Sequence, residues 1–196
     1  QARSHNRFFG HIRGARIAKQ IIEAAAERKI PYLTLYTFSS ENWQRPEKEV
    51  FFLMKLLHKQ LKRESSNLIK NNIRFRVIGD QNKLPEELKE VLNEVIDSTK
   101  NNTGMTLTFA LSYGSRQEIT NAVKKIARQV QAGNIDISDI SPEQVSASLE
   151  SAYLPDPDLM IRTSGESRIS KFVLWKSAYT EFYVTKTLWP DFTVTE

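Results

Sequence analysis

The side chains best suited to chemistry gather in two short segments, and the first is residues 39–46, Ser-Ser-Glu-Asn-Trp-Gln-Arg-Pro. A plain helix start would explain the proline and the following acids, Glu47 and Glu49, because such residues suit a first helical turn and the positive end of the helix dipole. It would not explain a large Trp43 beside Arg45 in an exposed loop. We therefore interpret this segment as a functional loop, since binding residues concentrate in loops on a rigid scaffold.

The second segment is residues 162–170, Arg-Thr-Ser-Gly-Glu-Ser-Arg-Ile-Ser. Arg162 and Arg168 flank a turn of small residues centred on Gly165. Two guanidiniums beside hydroxyls and free backbone N–H groups suit a diphosphate, because their planar forks match phosphate oxygens. The alternative is a surface turn whose solvated arginines pair with Glu166. The position after a predicted strand favours an anion site.

A third, weaker signal is the pair Arg7 and His11, which would share one face of a helix. A lone histidine is more often structural than catalytic, so the pair carries little by itself. The basic and aromatic opening, residues 3–16, would also suit a nucleic-acid-binding domain. That alternative predicts clustered basic and aromatic residues, which are not seen elsewhere in the sequence.

The elements that must position these side chains alternate between two patterns. β-rich runs cover residues 32–38, 73–78, 105–111 and 158–162, and helical periodicity covers 14–29, 46–70, 85–98 and 115–132, with a short helix from Ser141. This alternation predicts an α/β fold with a parallel central sheet flanked by helices. Such sheets bind ligands at the carboxyl ends of their strands, where both candidate segments lie.

Composition narrows the function classes. The chain has 196 residues, which predicts one domain, and its net charge of +5 suits anionic partners, although a slightly lysine-rich surface would explain it as well. The absence of cysteine excludes disulfides and thiolate zinc sites and suits a reducing cytosol. No apolar run approaches the ~18 residues of a membrane-spanning helix, and Gly-rich nucleotide motifs and the zinc motif His-Glu-x-x-His are absent.

Several strings resemble the signatures of the cis-prenyltransferase family, in its undecaprenyl diphosphate synthase branch. They are residues 36–46, 73–80, 111–114, 158–170 and 174–192, and their order and spacing hold along the whole chain. Departures from the family pattern are few. Leu111 and Ser112 replace the commoner Ala-Asn, and Lys171 and Lys176 stand where the family often has Asn and Gln.

The resemblance implies a single catalytic domain over residues 1–196. Its activity would be the Mg²⁺-dependent condensation of isopentenyl diphosphate with an allylic diphosphate, farnesyl diphosphate, to give a long polyprenyl diphosphate, the C55 product of cell-wall carrier synthesis. It also implies a cytoplasmic homodimer that does not bind nucleic acid, and it allows peripheral membrane contact for product release. The family's Asp-Gly-Asn-Gly-Arg motif with its first strand, and its C-terminal segment, are expected to lie outside these residues.

The resemblance also implies a role for each site residue. Asn42 is the family's proton acceptor, although an amide is a poor base and suits orientation of a departing phosphate better. Glu181 would hold the metal. The remaining substrate-binding residues are Arg7 and His11 for the allylic diphosphate, Arg162, Arg168, Ile169 and Ser170 for isopentenyl diphosphate, and Ser39, Ser40, Glu41, Trp43 and Arg45 in a mobile lid.

The growing product requires an apolar tunnel. Residues 50–57 hold more apolar side chains than one helix face buries in a core, which indicates a second apolar lining; a well-buried helix is the alternative. By resemblance, Met105 lies at the closed end and limits product length.

Two alternatives to the main prediction stay open. One is the same chemistry with another product length. The other is a non-catalytic dimerising subunit, although such subunits usually lose loop and diphosphate residues that this chain keeps, namely Asn42, Arg45, Arg162, Arg168 and Glu181.

Overall fold

The computed structural model describes residues 7–196, with side chains from Phe8 onward. Its helices are α1 (Arg7–Glu27), α2 (Glu47–Lys70), α3 (Glu86–Thr99), α4 (Ser115–Gln131) and α5 (Pro142–Ser148). Its strands are β1 (Tyr32–Ser39), β2 (Arg74–Ile78), β3 (Thr106–Tyr113), β4 (Leu159–Arg162) and β5 (Glu181–Val184). The predicted α/β fold is confirmed.

All strand pairs are parallel, but they form two sheets rather than the single predicted one. The central sheet has the order β1-β3-β2, with Tyr32 and Arg74 both opposite Thr106. The smaller sheet pairs β4 with β5. Within residues 7–196, no strand of the central sheet pairs with β4 or β5, so the two sheets are separate.

The main core lies between one face of the central sheet and the helices α1, α2 and α3. Alternate residues of β3, Leu107 and Phe109, point into it and meet Phe75 of β2, whose ring contacts Phe109 edge to face at 5.0 Å. Met54 and Leu61 of α2 pack against the same cluster. Burial of this periodic apolar face is what fixes α2 on the sheet.

The opposite face is covered by α4 and the chain that follows α5. Thr108 points to this side, and its hydroxyl lies 3.1 Å from the Tyr153 hydroxyl. A second cluster joins the two sheets here: Tyr36 of β1 stacks on Phe172 at 4.5 Å, and Met160 of β4 packs in the same group. These contacts place the carboxyl end of β4 beside the carboxyl ends of β1 and β3.

The end of β2 is fixed by a glycine. Gly79 has φ +115°, and a Cβ there would lie 2.0 Å from the carbonyl oxygen of Leu111. Only glycine fits this close approach of two neighbouring strand ends. No described helix is long and apolar enough to cross a bilayer.

Candidate active site

The loop after β1 is a short 3-10 helix, Ser40–Gln44, packed on the end of the sheet. The Asn42 side-chain oxygen accepts the Ser39 backbone N–H at 3.0 Å. Trp43 is half-buried against Phe38, and its indole N–H donates to the Ser112 hydroxyl at 2.8 Å. The loop is exposed at Glu41, Gln44 and Arg45, as predicted, but the indole of Trp43 is anchored by an aromatic contact and a hydrogen bond.

Glu49 in the first turn of α2 links this loop to α1. Its Oε1 accepts from the Arg45 guanidinium at 2.8 Å and from His11 Nε2 at 3.1 Å. The sequence suggested only a helix-dipole role, which does not require burial, yet Glu49 is 6% exposed. The structure thus brings His11 and Arg45 together through a residue that sequence analysis did not assign to the site.

The segment after β4 forms the second half of the site. Arg162 is half-buried and donates to the Ser170 hydroxyl at 3.2 Å. Arg168 pairs with Glu166 at 2.8 Å, and its side chain is 73% exposed. The backbone N–H groups of Ser164 and Gly165 are not free as predicted, because they donate to carbonyls of the chain after β5.

The two segments meet at one edge of the fold. Lys171, which immediately follows the second segment, contacts the Glu41 carboxylate, and this ion pair lowers the pKa of Glu41. The Tyr36 hydroxyl lies 3.4 Å from the Ser170 carbonyl oxygen, and burial raises the pKa of that phenol. The Ser115 N–H donates to the Lys171 carbonyl at 2.9 Å. The lid carboxylate and a cation of the second loop therefore lie together.

A polar cavity of about 660 Å³ lies nearby, at the ends of β2 and β3. The buried Glu118 carboxylate on its wall accepts from the Tyr113 hydroxyl at 2.5 Å and from the Ser151 N–H at 2.9 Å. Although Glu150 is exposed at the surface, partial desolvation raises the pKa of its carboxyl to about 7, and the nearby Glu118 and Asp80 carboxylates raise it further. Asp80 on its wall ends the motif of residues 73–80, whereas Glu118 and Glu150 lie outside every sequence motif, so the cavity was not predicted.

An apolar groove of about 360 Å³ lies on the other side of the loop. Trp43, Val50, Met54 and Pro85 line it, together with Phe51, which is largely exposed. The surplus of apolar residues predicted for this part of α2 therefore faces an open groove as well as the core.

Two predicted residues, Glu181 and Met105, stand apart from this cluster. Glu181 begins β5 opposite Leu159, whereas Arg162 lies opposite Val184 three residues further on, about 10 Å along the strands. Met105 is buried in the main core before the first residue of β3. The side chain of Arg7 lies outside the described residues.

In the part of the chain that the structure describes, no three His, Asp or Glu side chains come together in a way that could hold a metal ion. Mg²⁺ is commonly held by one or two carboxylates plus substrate phosphates rather than by a protein cage. Glu181 offers one exposed carboxylate of that kind.

Fold and site together define an α/β protein with cationic side chains gathered at the carboxyl edge of parallel strands. Residues 1–196 match the prenyltransferase family model described as putative undecaprenyl diphosphate synthase, and the chain belongs to that family of transferases. The resemblance drawn from the motifs is confirmed.

Two isoprenyl transferases are similar in sequence to this chain over nearly its whole length. The chain is 47% identical to an isoprenyl transferase of Brucella suis, covering all of this chain and 77% of the relative. It is 48% identical to an isoprenyl transferase of Porphyromonas gingivalis, covering 97% of this chain and 75% of the relative.

Two solved structures are also similar. A lavandulyl diphosphate synthase from Lavandula x intermedia, in complex with dimethylallyl diphosphate, has a TM-score of 0.96 and 34% identity over 99% of this chain and 84% of its own. A probable undecaprenyl diphosphate synthase from Campylobacter jejuni has a TM-score of 0.80 and 34% identity over 92% of this chain and 83% of its own.

Proposed function

We propose that this protein is a cis-prenyltransferase that condenses isopentenyl diphosphate with an allylic diphosphate. The carbon–oxygen bond of the allylic substrate breaks, and its diphosphate leaves with the electron pair. The double bond of isopentenyl diphosphate attacks the cation, and a proton is lost from the neighbouring carbon. The observation that carries this proposal is the meeting, at the carboxyl edge of the sheet, of the lid with a loop that carries Arg162, Arg168 and Lys171.

One loop is proposed to hold isopentenyl diphosphate. The guanidinium of Arg162 and the hydroxyl of Ser170 lie within hydrogen-bonding distance of each other and would bind one phosphate together. Arg168 is exposed next to them and would leave Glu166 to join. Ile169 follows on the same segment and would contact the substrate's apolar part.

The allylic diphosphate is proposed to bind on the side of α1, at His11, Arg45 and Arg7. The similarity to a synthase in complex with dimethylallyl diphosphate, an allylic diphosphate, supports this substrate class. Neutralising the diphosphate that leaves is the main electrostatic task of the site. The Asn42 side-chain oxygen already accepts a backbone N–H, so its amide group is better suited to donate to a phosphate than to accept a proton.

The lid is proposed to exclude water from the cation. Residues Ser39 and Ser40 supply hydroxyls at its start, Glu41 ties it to the other loop, and Trp43 anchors it to the sheet. Closure of such a loop protects a reactive intermediate from hydrolysis.

Magnesium is part of the proposal, as the family resemblance implies. When bound, it would neutralise phosphate oxygens, with Glu181 as the candidate protein ligand. Glu181→Gln tests it: activity should fall and excess Mg²⁺ should recover part of it, whereas insensitivity to Mg²⁺ would make Glu181 a structural residue.

The finer identity is also proposed: farnesyl diphosphate as primer, a C55 product for the cell-wall lipid carrier, and a homodimer in the cytoplasm that contacts the membrane to release product. The apolar groove beside α2 is consistent with an isoprenoid substrate.

A transfer assay tests the function. Purified protein is incubated with radiolabelled isopentenyl diphosphate and farnesyl diphosphate, with Mg²⁺ or with a chelator, and the products are separated by chain length. We expect a Mg²⁺-dependent ladder of polyprenyl diphosphates ending near C55. Absence of transfer under all conditions, together with activation of an added catalytic homologue, would instead identify a non-catalytic subunit.

A further inference from the structure

We propose that Glu49 is a positioning residue that fixes Arg45 of the lid and His11 of α1 for the allylic diphosphate. This inference rests on the proposed function, because it names a residue that orients two proposed substrate ligands. Glu49 does not itself reach the substrate in this proposal.

The contact geometry is the starting point. Glu49 Oε1 receives one hydrogen bond from the Arg45 guanidinium and one from the His11 ring. The two donors belong to separate elements, the segment before α2 and helix α1. One oxygen atom therefore sets the relative position of two side chains that lie 34 residues apart in the chain (45 − 11 = 34).

Glu49 is buried, and a buried carboxylate requires hydrogen-bond donors. A buried carboxylate is costly unless charged or polar donors satisfy it, so Glu49 needs both partners. Glu47, two residues earlier in the same helical turn, is exposed and would serve the helix dipole equally well. The burial of Glu49 is therefore explained by its partners rather than by the helix.

The contact leaves both partners able to bind a ligand. Arg45 uses one of the five N–H donors of its guanidinium, so the others stay available to phosphate oxygens. A carboxylate only accepts, so His11 donates from Nε2, and it would also donate from Nδ1 to a phosphate oxygen in its doubly protonated form. Glu49 thus orients the two groups without occupying them.

An opposite role makes an opposite prediction. If Glu49 competed with the diphosphate for Arg45 and His11, removing its charge would strengthen substrate binding. If it positions them, removing the charge weakens binding, because both side chains regain rotamer freedom that must be lost again when substrate binds.

The experiment compares Glu49→Gln with Glu47→Gln as the matched control. We expect Glu49→Gln to raise the KM for the allylic diphosphate on the order of tenfold, as for loss of a charged hydrogen bond, and to change the KM for isopentenyl diphosphate less than about twofold. Glu47→Gln should leave both unchanged. A lower KM for the allylic substrate, or an equal rise for both substrates, would overturn the proposal.

Two further measurements separate positioning from a structural role. In an Arg45→Ala, His11→Ala background, Glu49→Gln should raise the allylic KM by a much smaller factor than it does in the wild type, whereas a structural role would add its effect in full. Glu49→Asp is the second variant, for use if Glu49→Gln fails to fold. It keeps the carboxylate but shortens the side chain by one methylene, so it should raise the KM for the allylic diphosphate selectively, by a smaller factor.

Limited proteolysis keeps the inference independent of catalysis. Chymotryptic cleavage after Trp43 should be faster in Glu49→Gln than in the wild type, because the lid loses its anchor to α1. Absence of turnover in the wild type would refute the proposed function alone. Unchanged cleavage would refute the positioning role alone.

Discussion

Arg162 and Arg168 flank the same turn but have different surroundings. Arg162 is half-buried and donates to the Ser170 hydroxyl, whereas Arg168 is exposed and pairs with Glu166. We expect Arg162→Ala to raise the KM for isopentenyl diphosphate tenfold or more, since loss of a charged hydrogen bond costs ~1.5–3 kcal/mol. Arg168→Ala should raise it less, because the side chain must leave an ion pair and order itself first. Steady-state kinetics with each substrate varied in turn gives both values.

These arginine variants should leave the KM for the allylic primer nearly unchanged. Equal effects on the two substrates would contradict the assignment of Arg162 and Arg168 to one diphosphate. Arg128→Ala, at the end of α4 and away from both loops, is the matched control.

Glu150 should give stability a pH dependence. Its pKa is raised to about 7 in the folded protein, so the native state binds this proton more tightly than the unfolded chain does. The associated stabilisation is complete below the ordinary glutamate pKa and is lost as the pH rises through about 7. We expect the urea midpoint of the wild type to fall between pH 5 and pH 8 by more than that of Glu150→Gln. Parallel curves for the two proteins would show that Glu150 titrates normally.

Met105 tests where the product ends. A flexible methionine at the closed end of a tunnel would limit chain length, so Met105→Ala should shift products longer with little change in the first condensation. The residue is 5% exposed within the main core, so the alternative is a purely structural role with a loss of ~2–5 kcal/mol. Product chromatography and a melting curve separate them: a lower Tm with an unchanged product ladder would refute the chain-length role.

At the scale of elements, the ion pair between Glu41 and Lys171 joins the lid to the loop after β4. It is exposed, so salt should screen it. We expect Lys171→Asn to speed chymotryptic cleavage after Trp43 at low salt, and high salt to bring the wild type to the rate of the variant. Lys186→Asn, which alters an exposed lysine outside this ion pair, is the control. A salt-independent difference between wild type and Lys171→Asn would mean that the lysine acts through packing.

The sequence predicted the order of helices and of the first four strands, because long periodic segments such as 46–70 and 115–132 carry a strong signal. It missed β5, since Glu181–Val184 is four residues long and all four are exposed, which leaves no burial pattern to detect. It also missed Glu49. A buried acid and an exposed one look the same in a helix's first turn until the partners from α1 are in place.

Site residues carried by motifs were easier to predict than their contacts. The two loops were located because strand ends of a parallel sheet converge. The hydrogen bond from Trp43 to Ser112 could not be foreseen, since it depends on Ser112 adopting a φ of +51° at the end of β3.

At the scale of the whole molecule, the smaller sheet presents an apolar surface. Leu159, Ile161 and Tyr183 are exposed on one face of it, and β5 has no strand on its outer side within residues 7–196. Surfaces of this kind mark protein contacts. We expect Tyr183→Lys to convert a dimer into monomers, measured by sedimentation velocity.

Val123→Lys is the control for that experiment, because Val123, like Tyr183, is an exposed hydrophobic residue but lies on α4. Dissociation by both variants, or by neither, would place the dimer contact elsewhere.

The parallel pairing of every strand has a consequence for how the chain acquires its structure. The strands of a hairpin are neighbours in sequence, but β1 pairs only with β3, which follows it by more than 60 residues (Tyr32 lies opposite Thr106). Strand β2 pairs with the other edge of β3. During synthesis at the ribosome, β1 and β2 therefore emerge with unpaired edges and with apolar faces that only α1, α2 and α3 can cover. Non-local pairing of this kind slows folding and lengthens exposure to aggregation. Newly made chains truncated before β3 should accordingly depend on chaperones for solubility, whereas chains that include it should not.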